Sequence, residues 1–176
     1  DNAGDIVDES TGSGIDIVDI TDPSAPTHLT TVDLSAYGAA ATSVAAANGR
    51  VAVAIPNAIK TAPGKVAVLS STGTVLAVAV VGSLPDMVTF DKKGKKILVA
   101  NEGEPIAYVP QAAYGPEVDL DPEGTVSVID VDKLVARKKN AVRSIGFTEF
   151  NTGGARAAEL SADVRIFGPG ASVAED

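Results

Sequence analysis

The sequence predicts an all-β fold built from repeated four-stranded antiparallel units. Three observations lead to this prediction. Apolar residues alternate with the period of a β-strand, short turn signals separate the alternating runs, and two stretches repeat the same order of strands. No long segment has the spacing of an amphipathic helix. The sequence therefore favours a chain of hairpin-connected strands.

The strand pattern occurs in short runs that β-branched residues dominate. The runs are residues 14–20, 51–55, 65–69, 75–81, 87–90, 97–100, 125–130 and 142–147. Turn-forming pairs separate them: Asn48-Gly49, Pro63-Gly64, Thr72-Gly73, Lys93-Gly94 and Glu123-Gly124. Residues 132–136 and 155–160 each predict a short helical segment.

Two stretches of the chain repeat the same strand order. The strand at 51–54 recurs 46 residues later at 97–100, and the strand at 64–69 recurs 60 residues later at 124–129. The difference of 14 residues is an insertion between Asn101 and Glu123. Since a period of ~40–50 residues is typical of a propeller blade, we expect a partial β-propeller of about two and a half to three antiparallel blades.

Counting strands divides residues 1–176 into the parts of a single propeller segment. Residues 12–37 supply the last two strands of one blade, residues 41–82 a whole blade, and residues 84–150 a second blade with its insertion at 101–123. Residues 151–176 lead into the next blade. Propellers close with roughly 4–8 blades, and an open fragment leaves strand edges unpaired. We therefore expect the remainder of the propeller, as a second chain or missing polypeptide, or oligomer pairing at the open edges.

Composition excludes several kinds of site. The chain has 176 residues, a net charge of −9, no cysteine and one histidine, His28. Without cysteine there are no disulfides, thiolate nucleophiles, cysteine zinc sites or iron–sulfur clusters. A Ser-His-Asp triad would have to use His28. The acidic balance argues against a nucleic-acid-binding face, and the apolar runs are far shorter than the ~18 residues of a membrane span.

The insertion concentrates acidic residues. They are Glu102, Glu104, Glu117, Asp119, Asp121 and Glu123. Four prolines, Pro105, Pro110, Pro116 and Pro122, keep it out of regular structure. Because Ca²⁺ prefers carboxylate and carbonyl oxygens, one hypothesis is a calcium site. Its candidate ligands are Glu102, Glu104, Asp119, Asp121 and Glu123. A solvated loop of mutually repelling carboxylates and a partner-binding loop are the alternatives.

Other polar residues have simpler interpretations. Asp16, Asp19 and Asp22 surround one strand, and Asp22 precedes a proline, which predicts a turn. Asp86 opens an inner-type strand, where it either caps a turn or faces the central channel. His28 enters a strand as a surface or pairing residue.

Two basic clusters contrast with the acidic insertion. Residues 92–96 hold four lysines around a hairpin turn, and residues 137–139 follow the predicted helical turn. Lysine at such positions protects strand ends that face solvent. We interpret both clusters as solvated faces, with an anion or phosphate site as the alternative.

Several motifs resemble known families. Residues 14–26 resemble the LVIVD-type propeller repeat of bacterial surface proteins. Residues 84–90, 99–105, 121–130 and 164–174 together look like the choice-of-anchor I domain. That family includes secreted bacterial proteins labelled alkaline-phosphatase-like, and it is similar to the mesenchyme-specific cell-surface glycoprotein of sea urchins. The resemblance covers nearly the whole chain and implies a secreted or surface-attached, seven-bladed-type propeller several hundred residues long.

Two classes of function follow. The first is a secreted or cell-surface module, extracellular or periplasmic, that binds a ligand, partner or cation through its blade loops, with calcium as the candidate cofactor. The resemblance implies the alternative, part of a metal-dependent alkaline-phosphatase-like phosphomonoesterase. In that enzyme, carboxylates would hold cations that clamp the phosphate oxygens and activate a water. No serine or threonine has a recognisable nucleophile context, so no catalytic residue is assigned.

Overall fold

The chain folds into three antiparallel β-sheets that follow one another along the sequence. The computed structural model describes residues 5–6, 13–106, 121–151, 153–161 and 163–164. Within each sheet, every strand pairs with its neighbours in sequence, so each sheet is an up-and-down meander. This arrangement confirms the predicted all-β fold of a partial propeller.

The strands and helices have the following bounds. The first sheet contains β1 (Asp5–Ile6), β2 (Gly14–Asp19) and β3 (Thr27–Asp33). The second contains β4 (Ser43–Ala47), β5 (Arg50–Ile55), β6 (Pro63–Ser70) and β7 (Val75–Ser83). The third contains β8 (Pro85–Phe90), β9 (Lys96–Asn101), β10 (Thr125–Asp130) and β11 (Val142–Ile145). The helix α1 spans Val131–Val135, and short 3-10 helices span Ser35–Tyr37, Thr148–Phe150 and Ala157–Glu159.

The structure departs from the strand prediction at two places in its described part. The first sheet has a third strand, the two-residue β1, which lies before the segment 12–37. Strand β11 ends at Ile145, because Ile145 already pairs with Val126 near the start of its partner strand. The predicted short helical segment at 155–160 contains a 3-10 helix.

The strand registers reproduce the sequence repeat. Val51 pairs with Leu69 in the second sheet, and Ile97 pairs with Ile129 in the third. These pairs are related by the same shifts, 46 and 60 residues, that relate the two stretches of sequence. The insertion between β9 and β10 therefore adds chain without changing which residues face each other.

The second sheet is buried on both faces. Alternate residues of a strand point to opposite sides, so β5 contributes to two cores. Val53 packs in a cluster with Leu34, on the side of the first sheet. Ala54 packs in a cluster with Ile97, on the side of the third sheet. The side chains of Val53 and Ala54 are both fully buried. The second sheet therefore packs face to face between the first and the third.

Truncation of Ile129 should destabilise the chain. Ile129 is fully buried between the second and third sheets, so Ile129→Ala should lower the free energy of unfolding by about 2–4 kcal/mol. Ile145→Ala is the matched control, because Ile145 is 39% exposed on the neighbouring strand and should lose less than about 1 kcal/mol. Urea unfolding measures both, and equal losses would contradict the packing described.

Candidate functional site

The acidic insertion begins and ends at one end of the third sheet. Register pairing places Asn101, the last residue of β9, beside both Pro85 and Thr125, which start β8 and β10. The connection between β5 and β6 reaches the same end, where Lys60 Nζ lies 2.9 Å from Glu104 Oε2. We call this region, with Asp86, Glu102, Glu104, Asp121 and Glu123, the acidic loop end. It joins loops from two neighbouring sheets.

Asn101 holds the start of the insertion in place. Its side-chain Nδ2 donates hydrogen bonds to Thr125 Oγ1 at 3.0 Å and to Ser127 Oγ at 2.9 Å. Gly82 on β7 approaches this amide so closely that a Cβ there would lie 2.8 Å from the Asn101 side chain. Asn101 and Ser127 are both buried, so their hydrogen bonds fix the geometry between β9 and β10.

Sequence reasoning missed Asn101 and Ser127, although the repeat contained the signal. The shifts of 46 and 60 residues align Asn101 with Ile55 and Ser127 with Ala67, and both aligned residues are fully buried and apolar. Two polar residues therefore replace apolar ones at neighbouring core positions on adjacent strands. A buried polar group requires a partner, and here Asn101 Nδ2 and Ser127 Oγ supply each other with one. The buried oxygen Oδ1 of Asn101 has no hydrogen-bond partner among the described residues.

The two ends of the insertion are joined at its base. Glu102 N donates to Leu84 O at 2.9 Å, and Gly103 N donates to Ser83 O at 3.2 Å. Gly103 has a φ of +65°, and a Cβ there would lie 2.6 Å from the backbone nitrogen of Gly124. Only glycine fits this conformation and this close approach without strain. The acidic residues at the base are thus attached to a defined backbone.

The carboxylates of the acidic loop end repel one another. Burial raises the pKa of Glu102 above its usual value, and the nearby charges of Asp86 and Glu104 raise the pKa further. Lys60 opposes this shift. The site therefore has an excess of negative charge that one lysine from the neighbouring sheet partly offsets.

The structure describes four of the five predicted metal ligands. Glu102, Glu104, Asp121 and Glu123 lie at the base of the insertion, and Asp119 lies outside the described residues. Among the described residues, no three or more histidine, aspartate or glutamate side chains are arranged to hold a metal ion. The calcium site stays a prediction.

The other polar candidates form local contacts. His28 Nε2 lies 3.0 Å from Asp16 Oδ1 across the β2–β3 pair, as expected for a pairing residue. The side chain of Thr31 lowers the pKa of Asp16, and His28 lowers the pKa further. Asp22 accepts a hydrogen bond from Ser24 N at 3.0 Å, which confirms the predicted turn.

Glu102→Gln should stabilise the chain slightly at neutral pH. Folding raises the pKa of Glu102, so the ionised carboxylate destabilises the folded state at neutral pH. At low pH the carboxyl is protonated in both the folded and the unfolded chain, and this destabilisation is absent. We expect a higher melting temperature for the variant at pH 7 and no difference near pH 3. A stabilisation that is the same at both pH values would contradict the electrostatic origin.

Comparison with known proteins identifies the family of this chain. A family model described as the choice-of-anchor I domain matches residues 5–176. No curated protein gives a significant match. In the part of the chain that the structure describes, no helix is long and apolar enough to cross a membrane. The match covers nearly the whole sequence, and the chain belongs to the choice-of-anchor I domain family.

Proposed function

We propose that this chain is part of a secreted or cell-surface β-propeller that binds a partner or cation through its acidic loop end. Membership of the choice-of-anchor I family supports a surface-associated β-rich module. The stacked sheets provide a rigid support, and loops on rigid supports commonly carry binding functions. Its location would be extracellular, periplasmic or on the cell surface.

The observation that carries this proposal is the crowding of negative charge around Glu102. The charges of Asp86 and Glu104 both raise the pKa of Glu102, which shows that the three carboxylates repel one another. The folded chain would be more stable if these carboxylates lay farther apart. A positively charged partner or a cation would remove this repulsion on binding. The free energy of that relief would add to the affinity.

Calcium is the candidate cation for this site. Ca²⁺ is bound by carboxylates, backbone carbonyls and water. The base of the insertion supplies Glu102, Glu104, Asp121 and Glu123, and Asp119 would add a carboxylate from the same loop.

Addition of about 1 mM Ca²⁺ should raise the melting temperature by about 3 °C, because a ligand that binds only the folded state stabilises it. Glu102→Gln should reduce the shift. Glu149→Gln, an exposed charge-matched control on the 3-10 helix Thr148–Phe150, should leave it unchanged.

An unchanged melting temperature with Ca²⁺ and with EDTA would contradict the calcium proposal. The same samples are tested with a chromogenic phosphate ester, for which we expect no turnover. Calcium-dependent hydrolysis that Glu102→Gln abolishes, in a variant that keeps its fold, would instead support the phosphomonoesterase alternative.

A second proposal concerns the outer face of the third sheet. Met87 is 57% exposed and Leu98 is 37% exposed on this face, beside Ala100, Val126 and Val128. By the sequence repeat, these β9 and β10 residues align with side chains of the second sheet that the third sheet buries completely. The aligned residues are Ala52, Ala54, Val66 and Val68.

We infer that a further sheet of the propeller covers this face. In the second sheet the same positions are buried because the third sheet packs on them. A following sheet could pack on the outer face of the third sheet in the same way. It would come from the remainder of the polypeptide or from a second chain. The exposed patch would then be an internal surface of the complete ring.

The outer face should bind the apolar dye ANS in the 176-residue chain. Leu98→Asp should weaken dye binding, whereas Val80→Asp should not, because Val80 is exposed on β7 of another sheet. In a polypeptide that also carries the next blade, Leu98→Asp should cost about 3 kcal/mol of stability, since it would bury an unpaired charge. A cost no larger than that of Val80→Asp would contradict the inference.

A further inference from the structure

The end of the sheets opposite the acidic loop end carries a concentration of basic residues. Three lysines occupy the turn between β8 and β9, a fourth begins β9, and four more basic residues lie in α1 and the loop after it. We call this set the basic turn face: Lys92, Lys93, Lys95, Lys96, Lys133, Arg137, Lys138 and Lys139. All eight are exposed.

The fold brings the two basic segments together. Lys96 pairs with Asp130 in the β9–β10 register, and Val131 N at the start of α1 donates to Lys95 O at 3.1 Å. Asn48, in the corresponding turn of the second sheet, donates from Nδ2 to Lys93 O at 2.8 Å. The lysine turn is therefore held between the neighbouring sheet and the helix.

Acidic residues offset only part of this charge. The basic turn face has eight cationic side chains, and the carboxylates nearby in sequence are Asp91, Asp130 and Asp132. Asp91 accepts from the backbone nitrogens of Lys95 and Lys96, and Asp130 accepts from that of Lys133, so these two carboxylates also stabilise turns. A chain with a net charge of −9 thus presents one strongly positive surface.

Most cations of the face have no acidic partner. Asp130 lies 3.8 Å from Lys96 Nζ and 4.0 Å from Lys133 Nζ. The other six form no ion pair within the described residues: Lys92, Lys93, Lys95, Arg137, Lys138 and Lys139. These side chains are available to an anion.

A groove continues the basic turn face across the outer edge of the second sheet. Its floor is residues 75–78 of β7, with Tyr37 and Leu134 among its other lining residues. Arg137 and Lys138 belong both to the groove and to the basic turn face. Arg137 has a φ of +54° just after α1, a position where glycine is favoured. A long cationic side chain therefore occupies a backbone position that disfavours any side chain.

We propose that the basic turn face and this groove bind an extended anionic polysaccharide. Its carboxylate or sulfate groups contact the lysines and Arg137, whose planar guanidinium matches such groups. One sugar ring lies in the groove against Tyr37 and Leu134. Inorganic polyphosphate has charge but no apolar ring face, so the groove favours the polysaccharide over it. The basic turn face lies at the opposite end of the sheets from the acidic loop end, and none of the described candidate calcium ligands lines the groove, so the proposal is independent of the calcium proposal.

Titration with heparin and with polygalacturonate tests the proposal on the 176-residue chain. Both should bind at low ionic strength, and the affinity should fall about tenfold or more between roughly 50 and 200 mM salt. Arg137→Gln and Lys93→Gln should each weaken binding by about two- to fivefold. The matched control Arg156→Gln removes an exposed arginine outside the face and should leave the affinity unchanged.

The groove is tested separately from the charge. Tyr37→Leu should weaken both polysaccharides at least about threefold and leave inorganic polyphosphate binding unchanged, since only sugars use the ring. Because Tyr37 packs against the core, Leu76→Gln on the exposed strand edge is a second variant with the same expectation. Melting temperatures show that each variant is folded.

Three results would overturn the proposal. The first is no binding of either polysaccharide at low salt. The second is an equal loss in Arg137→Gln and Arg156→Gln, which would indicate non-specific attraction. The third is that the chain binds polyphosphate while both groove variants bind the polysaccharides with unchanged affinity. That result would make the face a general anion surface.

Discussion

The fold depends on one constraint, which is that each sheet needs a neighbour on each apolar face. On β5, Val53 and Ala54 point in opposite directions, and both are completely buried. A single four-stranded sheet with two apolar faces would expose them to water, so it is stable only within a stack. Because the faces are used for packing, the two ends of the sheets and their outer edges are the surfaces left for binding.

The loops at these ends differ in charge although they connect strands of the same sheet. Strand β9 runs from Lys96 at the basic turn face to Asn101 at the acidic loop end. The buried residues of β9 pack against the second sheet. The positive residues near its start and the negative residues after its end are therefore separated by the length of this six-residue strand. Separating unlike charges along rigid strands keeps them from neutralising each other.

The repeat made most of the fold predictable from the sequence. The pairing of Val51 with Leu69 predicts that of Ile97 with Ile129, because strand alternation fixes which residues face the core. The two-residue β1 is too short to show a period. The contact between Lys60 and Glu104 depends on how two sheets stack, which a strand pattern within each blade does not contain. The strand pattern thus describes the order of strands within a blade, whereas the contacts across the sheet boundary become visible only in the structure.

Because the two ends of the insertion are joined at its base, the length of the loop has little effect on the stability of the blade. Glu102 and Gly103 bond back to the β7–β8 connection, and Gly103 also packs against the returning chain before Thr125. Chain added beyond this neck closes a loop whose ends are already held together, and each doubling of its length costs only about 0.6 kcal/mol. The neck is thus a point at which evolution or an engineer can exchange one loop for another of different length and chemistry. The blade beneath would keep its register.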